Sequence, residues 1–311
     1  MSAKSCLVSL IILQNDGSTG TFMSMKVSIL HPAKFKLDGG AMYGIIPKPL
    51  WEKHSPSDEF NRIDLDLRLV LLQTATKNIL IDTGIGSFRG EKWNTRFAVE
   101  SIESPIETLL KEKCDLTSSD ITDIILTHLH FDHVGGLGQL RNGEHELIFE
   151  QATIHLHRDH YLYALNPTLR DSGSFEKPIF SKLIEDYKNK NQAIFYEGME
   201  GELECGLKFI CSHGHTPFMI HPYSDKFIYM ADIVPTSNHI SIPWVMGYDI
   251  SPGQSTRDKE SFYKLILEKK LCMIFEHDPV YWGASLKKDE KKGYQADKLF
   301  KKNGPVQTLS F

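Results

Sequence analysis

From residue 25 onward, apolar positions fall into short β-branched runs separated by turn residues, with stretches of helical spacing between them. Residues 67–73 and 78–81 read as the two strands of a hairpin that closes on Asp82-Thr83-Gly84. Residues 101–113 carry apolar positions at helical intervals. A short buried strand is predicted over 123–127, another over 152–155, and a helix over 157–165. Further strands are expected at 207–211, 219–222 and 227–230. A helix at 255–269 then leads to a last strand at 271–275, ending on Glu276-His277-Asp278. Residues 1–25 stand apart as an N-terminal extension, with a strand and a Gly-Ser-Thr-Gly turn at 17–20. Strand groups interleaved with helices imply an α/β layered fold with its chemistry at strand ends. No linker-like stretch divides 26–311, so one domain is expected there.

Composition narrows the class without naming a function. The chain has 311 residues, 41% hydrophobic and 24% charged, which is enough for a sizeable core. Its net charge of −5, with both signs mixed along the chain, gives no electrostatic footprint for nucleic acid or an anionic membrane. The five cysteines (Cys6, Cys114, Cys205, Cys211, Cys272) are odd in number and contain no CxxC pair, which points to a reducing compartment. Residues 6–13 are apolar and follow Lys4, but no small-residue cleavage pattern comes after them. No run approaches the roughly 18 apolar residues of a membrane helix. A soluble, cytoplasmic protein with a small-molecule substrate is expected, and a homodimer is compatible with this composition.

The chemistry is concentrated in Thr127-His128-Leu129-His130-Phe131-Asp132-His133. Alternate residues of an extended segment point the same way, so His128 and His130 can reach one metal. Asp132 and His133 lie where the chain turns and can address a second ion. Gly135-Gly136 follows and permits a tight turn into a helix. Imidazole and carboxylate ligands suit zinc, and also iron or manganese. His215, Asp232 and His277 each stand just after a predicted strand and complete the set. His155, His157 and His160 have no acidic or cysteine partner spaced with them, and a solvated or packed role is expected.

The order HxHxDH, then His, then Asp, then His resembles the metallo-β-lactamase superfamily. That resemblance implies an αβ/βα four-layer sandwich with metals between its two sheets. It further implies His128, His130 and His215 on a first metal, Asp132, His133 and His277 on a second, and Asp232 bridging. Leu37-Asp38-Gly39-Gly40-Ala41-Met42-Tyr43-Gly44, with Pro47-Lys48-Pro49-Leu50-Trp51, is similar to the quorum-quenching lactonases of the YtnP type. Asp232-Ile233-Val234-Pro235-Thr236, His239, Pro243-Trp244-Val245-Met246-Gly247-Tyr248-Asp249 and Phe275-Glu276-His277-Asp278 match the same group. The likeness covers about residues 26–285. By it, Met42, Tyr43, Phe218, Trp244 and Met246 are expected to wall the substrate pocket. Two departures stand out. Phe218-Met219 replaces the family's Gly-His after Pro217, and Pro235 occupies the position of a tyrosine that polarises the substrate carbonyl in acyl-homoserine lactonases.

Two divalent ions about 3.5–4 Å apart can share a water and lower its pKa, making hydroxide available at neutral pH. Asp132 or His239 would return a proton to the leaving group. The expected activity is therefore two-metal opening of a lactone or ester, acyl-homoserine lactones foremost. The rivals are an organophosphate triesterase of the methyl parathion hydrolase type and a mononuclear iron sulfur dioxygenase, which uses only part of the ligand set. A non-catalytic binding module is disfavoured by the completeness of that set.

Overall fold

The computed structural model describes residues 25–86, 90–99 and 105–309. The strand and turn expected within the N-terminal extension lie outside these residues. The first half of the chain forms β1 (Lys26–Asp38), β2 (Arg62–Gln73), β3 (Asn78–Ile81), β4 (Asp123–Ile125), the small hairpin β5 (Gly138–Arg141) and β6 (Glu144–Leu147), β7 (Thr153–His157) and β8 (Ala193–Tyr196). The second half forms β9 (Glu200–Glu202), β10 (Lys208–Ser212), β11 (Met219–Tyr223), β12 (Phe227–Tyr229), β13 (Cys272–Ile274), β14 (Tyr281–Asp289) and β15 (Gly293–Lys301). Finally β16 (Val306–Thr308) returns to the first sheet. One seven-stranded sheet has the order β16-β1-β2-β3-β4-β7-β8, the other β15-β14-β13-β12-β11-β10-β9.

Period-two burial assigns the layers. Val70 and Leu72 of β2 join Ile79 and Ile81 of β3 against Phe209, Ile228, Tyr229 and Ile274 of the second sheet, which makes the inter-sheet core. Leu69 and Leu71, pointing the other way, pack with Leu80, Ile124 and Ile154 beneath helices. Those helices include α4 (Pro105–Leu109) and α7 (Lys177–Asn189). The second sheet is backed by α8 (Pro252–Lys269), through Phe262, Tyr263 and Ile266. Two sheets between outer helices make the expected α/β sandwich. A third cluster, at one end of β1 and β2, holds Phe35, Leu65, Met42, Tyr43, Trp51 and Met246.

Several expectations shift. The hairpin of β2 and β3 is antiparallel as expected, but β2 begins at Arg62. The helix expected over 101–113 is, in its described part, α4 followed by a π-type turn from Leu110 to Cys114. Pro105 opens it, a position where the missing N–H costs nothing. The amphipathic α7 was not anticipated, although Phe180, Leu183, Ile184 and Tyr187 recur at i, i+3, i+4 and i+7 and are buried. No helix among the described residues is long and apolar enough to cross a membrane.

Candidate metal centre

The site gathers where β3, β4, β10, β12 and β13 end. The chain leaves β4 through Leu126 and Thr127 into the loop of His128 and His130, then enters the one-turn helix Phe131–Val134. Another loop after β10 carries His215, one after β12 carries Asp232, and one after β13 carries His277. All seven sequence-expected ligands are buried.

Their ring nitrogens and carboxylate oxygens converge. His128 Nε2 and His215 Nε2 lie 3.0 and 3.1 Å from His130 Nδ1. Zinc bonded tetrahedrally to two nitrogens at about 2.0–2.1 Å would separate them by about 3.3 Å, so this triplet is close to a metal-ready spacing. Asp232 Oδ2 is 3.1 Å from His215 Nε2 and 3.6 Å from His133 Nε2, while Oδ1 is 3.0 Å from His277 Nε2. Asp132 Oδ2 is 3.6 Å from His277 Nε2. Two groups result, one of His128, His130, His215 and Asp232, the other of His133, Asp232, Glu276 and His277. Asp232 belongs to both.

The outer ring nitrogens decide which lone pairs face inward. His215 Nδ1 lies 3.0 Å from Asp249 Oδ1, whose other oxygen accepts from Ser255 Oγ at 2.6 Å. His277 Nδ1 faces the Asp66 carbonyl at 2.9 Å, and His133 Nδ1 faces Asp82 Oδ2 at 3.0 Å. Thr127 donates its hydroxyl to Asp82 Oδ2, so its oxygen accepts from His128 Nδ1 at 3.1 Å. An acceptor at each of these four Nδ1 atoms holds a proton there, so that Nε2 is the nitrogen turned inward and the one a cation would meet once its own proton is displaced. His133 Nε2 and Asp232 Oδ1 are buried and make no hydrogen bond. Orphaned buried acceptors of this kind are costly unless a cation meets them. The donor set and its orphaned atoms fit a divalent metal.

The electrostatics divide the imidazoles: His128 and His130 stay neutral, whereas His133, His215 and His277 hold protons that a bound cation would displace. Burial, reinforced by neighbouring imidazoles, holds His128 and His130 well below the ordinary histidine range. Burial opposes charge on His133 as well, but Glu276, Asp232 and Asp132 outweigh it and push the ring well above that range. Burial would raise Asp232, yet His277, His215 and His133 hold it well below the usual carboxylate range. A carboxylate so strongly held among five imidazoles is available as a ligand at any physiological pH.

Above the cluster lies a cavity of about 370 Å³. His130, Asp132, His215, Asp232 and His277 reach into it, and Met42, Trp93, Phe97, Phe131, Met246 and Tyr248 supply most of its wall. Arg96, Arg170 and Glu176 add charge. Of the expected pocket residues, Met42 and Met246 line it, and three do not. Tyr43 is fully buried between Trp51 and His239, stacked at 5.3 and 5.0 Å, with its hydroxyl 2.6 Å from Ser55 Oγ. Trp244 stands edge-on to Tyr43 at 5.6 Å and is not among the cavity's residues. Phe218 has a left-handed backbone, φ 59°, and lies against His157 at 4.9 Å.

His239 is also displaced from its expected role as a proton donor. Its Nε2 faces the Met42 carbonyl at 2.9 Å and its Nδ1 lies 2.7 Å from Thr236 Oγ1, so both ring nitrogens are committed. Burial, with Lys259 nearby, lowers its pKa to about 4, and it is not among the cavity's residues. Pro235 instead serves through its backbone, accepting from His277 N at 2.9 Å. His155, His157 and His160 are packed and hydrogen-bonded, none of them solvated.

Sequence reasoning missed the supporting groups. Asp82 bears on His133 and Thr127, and Glu276 Oε2 lies 3.1 Å from His133 Nδ1. Lys259, fully buried, donates to the Ser241 and Trp244 carbonyls at 3.0 and 2.8 Å and so holds the loop that carries Met246, Tyr248 and Asp249. Asp82 could have been found as the acidic end of the predicted hairpin. Lys259, a lysine within the helix predicted over 255–269, carried no signal.

Comparison with known proteins agrees with this geometry. The sequence profile described as the metallo-beta-lactamase superfamily matches residues 69–283. A solved structure from Staphylococcus aureus, described as "a probable metal-dependent hydrolase", is 30% identical, with a TM-score of 0.77 over 90% of this chain and 98% of that one. The dizinc quorum-quenching lactonase AidC, solved with a product, is 22% identical, with a TM-score of 0.67 over 88% of this chain and 93% of its own. The N-acyl homoserine lactonase AttM of Rhizobium johnstonii is 23% identical over 177 residues, covering 55% of this chain and 64% of AttM. The chain thus spans less than two thirds of the length of the curated relatives it matches. With the profile covering more than half of the chain, the protein belongs to the metallo-beta-lactamase superfamily.

Proposed function

We propose that this hydrolase opens lactones or esters, acyl-homoserine lactones foremost, at a centre of two divalent ions, with zinc preferred and iron or manganese as alternatives. The observation that carries the two-ion reading is Asp232, whose Oδ2 faces His215 and whose Oδ1 faces His277. In this reading His128, His130 and His215 hold the first ion, Asp132, His133 and His277 the second, and Asp232 bridges. Ions there would supply Lewis acidity toward a carbonyl oxygen and lower the pKa of a water. Support for the substrate class comes from AttM and AidC, both named as lactonases.

The chain's own residues do the rest. Asp132 opens onto the cavity and can take the proton of the attacking water and pass it to the leaving alkoxide. Tyr248 takes over the part that His239 cannot play. Its ring lines the cavity, and its hydroxyl has no hydrogen-bond partner among the described residues. Burial, aided by the carboxylates of Asp38 and Asp132, pushes its pKa to about 12, so it stays a donor at neutral pH. A phenol donor that reaches the substrate from the cavity wall would polarise its carbonyl. The aromatic and methionine wall excludes water and suits an acyl chain. The four described cysteines are unpaired, in keeping with a cytoplasmic site of action.

The phosphotriesterase reading gains from Pro235, because a substrate with a good leaving group needs less help in its departure. Initial rates of the metal-loaded chain on N-hexanoyl homoserine lactone and on an aryl phosphotriester separate the two. The proposal expects kcat/KM on the lactone to be the larger by at least an order of magnitude. The reverse ranking would move the assignment to the triesterase.

A further inference from the structure

The first group of imidazoles is assembled from two loops on different sheets. His128 and His130 come from the loop after β4 in the first sheet, and His215 from the loop after β10 in the second. On one side these loops are joined by the backbone bond from Ile220 N to Thr127 O, 3.0 Å. On the other side the joint is a side chain. His160 lies in the first turn of α6 (Arg158–Leu165), directly after β7, the strand that pairs with β4. Its Nε2 accepts from Leu129 N at 2.9 Å, between the two ligand histidines, and its Nδ1 donates to the Pro217 carbonyl at 2.8 Å, two residues beyond His215. The ring is 1% exposed. Neither Leu129 N nor Pro217 O has another partner among the described residues, so loss of the ring would leave Leu129 N unpaired in the interior and Pro217 O unpaired at a half-buried position.

We propose that His160 is a positioning residue for the first metal, a strap that sets the spacing between the His128–His130 pair and His215 before any ion binds. Several features make it suited to this. α6 starts rigidly, because His157 at its N-cap accepts from Asp159 N at 3.1 Å. The strap needs an acceptor at one edge and a donor at the other, which the neutral imidazole offers in a single tautomer. Both of its hydrogen bonds go to backbone, so it fixes the path of both loops without competing for the ion. A triplet of nitrogens already 3.0 and 3.1 Å apart is the expected result of such a strap.

This inference rests on the metal-binding reading of the cluster and is independent of the lactone substrate. The test compares His160→Leu, which fills the space without polar atoms, with His160→Gln, whose amide offers both an acceptor and a donor. Zinc affinity is measured by chelator competition on the full chain, and the visible spectrum of the cobalt(II)-loaded form reports the first site's geometry. Outer partners of metal ligands typically contribute about 10–100-fold in affinity, so the leucine variant should lose that much and alter the cobalt spectrum, with glutamine within about threefold of wild type. An unchanged affinity and spectrum in the leucine variant would overturn the proposal, as would equal losses in both variants. If the leucine variant does not fold, amide exchange in metal-free wild type decides: a protected Leu129 amide supports the strap, and one exchanging at the unprotected rate refutes it. Failure of wild type to bind zinc or cobalt would sink the reading of the centre itself, a different outcome from any of these.

Discussion

Tyr248 and His239 lie nine residues apart; His239 was the residue expected to donate a proton, yet of the two only Tyr248 lines the cavity. Both belong to stretches resembling the lactonases, and His239 was the nearer polar group to the proline that replaces the family's tyrosine. Burial decides between them. His239 spends both ring nitrogens on Thr236 and Met42, whereas Tyr248 stands among the residues that line the cavity. Removal of one donor to a developing oxyanion costs about 10²–10³ in kcat. Tyr248→Phe is therefore expected to lower kcat on a lactone by about 10²-fold with metal content unchanged, whereas His239→Ala should alter kcat only a few-fold and lower the melting temperature instead. Steady-state rates paired with thermal melts check both, and a full-rate Tyr248→Phe enzyme would remove the tyrosine from the mechanism. The expected ligands were legible because their spacing carries chemistry. The bracing parts of Asp249 and Lys259 were not, because a side chain that braces a ligand or its loop from elsewhere in the chain leaves no local pattern.

Strand ends were the most legible elements. β4, β12 and β13 lie within a few residues of their predicted positions, since each is a short apolar run bounded by polar residues. The Gly135-Gly136 pair was read as freedom for a turn into a helix, and its reason is different. Both glycines lie after the one-turn helix, and neither has a positive φ. A Cβ on Gly136 would stand 2.2 Å from the Thr83 carbonyl oxygen, and one on Gly135 2.5 Å from Gly86 N. The pair exists so that the turn after β3 can lie directly on the metal loop, where Thr83 N donates to the His133 carbonyl at 2.8 Å. Overpacking typically costs about 1–3 kcal/mol, and contact with backbone leaves little room to yield. Gly136→Ala should destabilise the chain by about that much or more and weaken zinc binding through His133. Thermal melts with and without zinc measure it, and a variant as stable as wild type would show that the turn can shift freely. Such close approaches arise between segments about fifty residues apart, so periodicity along the chain cannot reveal them.

At the scale of the whole molecule, the centre sits where two seven-stranded sheets meet, with ligands drawn from both. The sandwich was legible through the family resemblance, while strand order and register follow from tertiary pairing and were not. The second half's long hairpin, β14 with β15, went unread because β15 is half exposed and rich in lysine. Since loops from both sheets contribute to one candidate cation site, a bound metal would also act as a tie between the halves, meeting groups that are otherwise buried and unpaired. The most direct test is a zinc titration of metal-free full-length protein, followed by elemental analysis of the saturated form. The account predicts saturation at two zinc ions per chain, with stability rising at each equivalent and with Asp232→Ala binding at most one ion tightly. Saturation of the wild type at a single ion, above all a single iron with oxygen consumed on a persulfide, would contradict it.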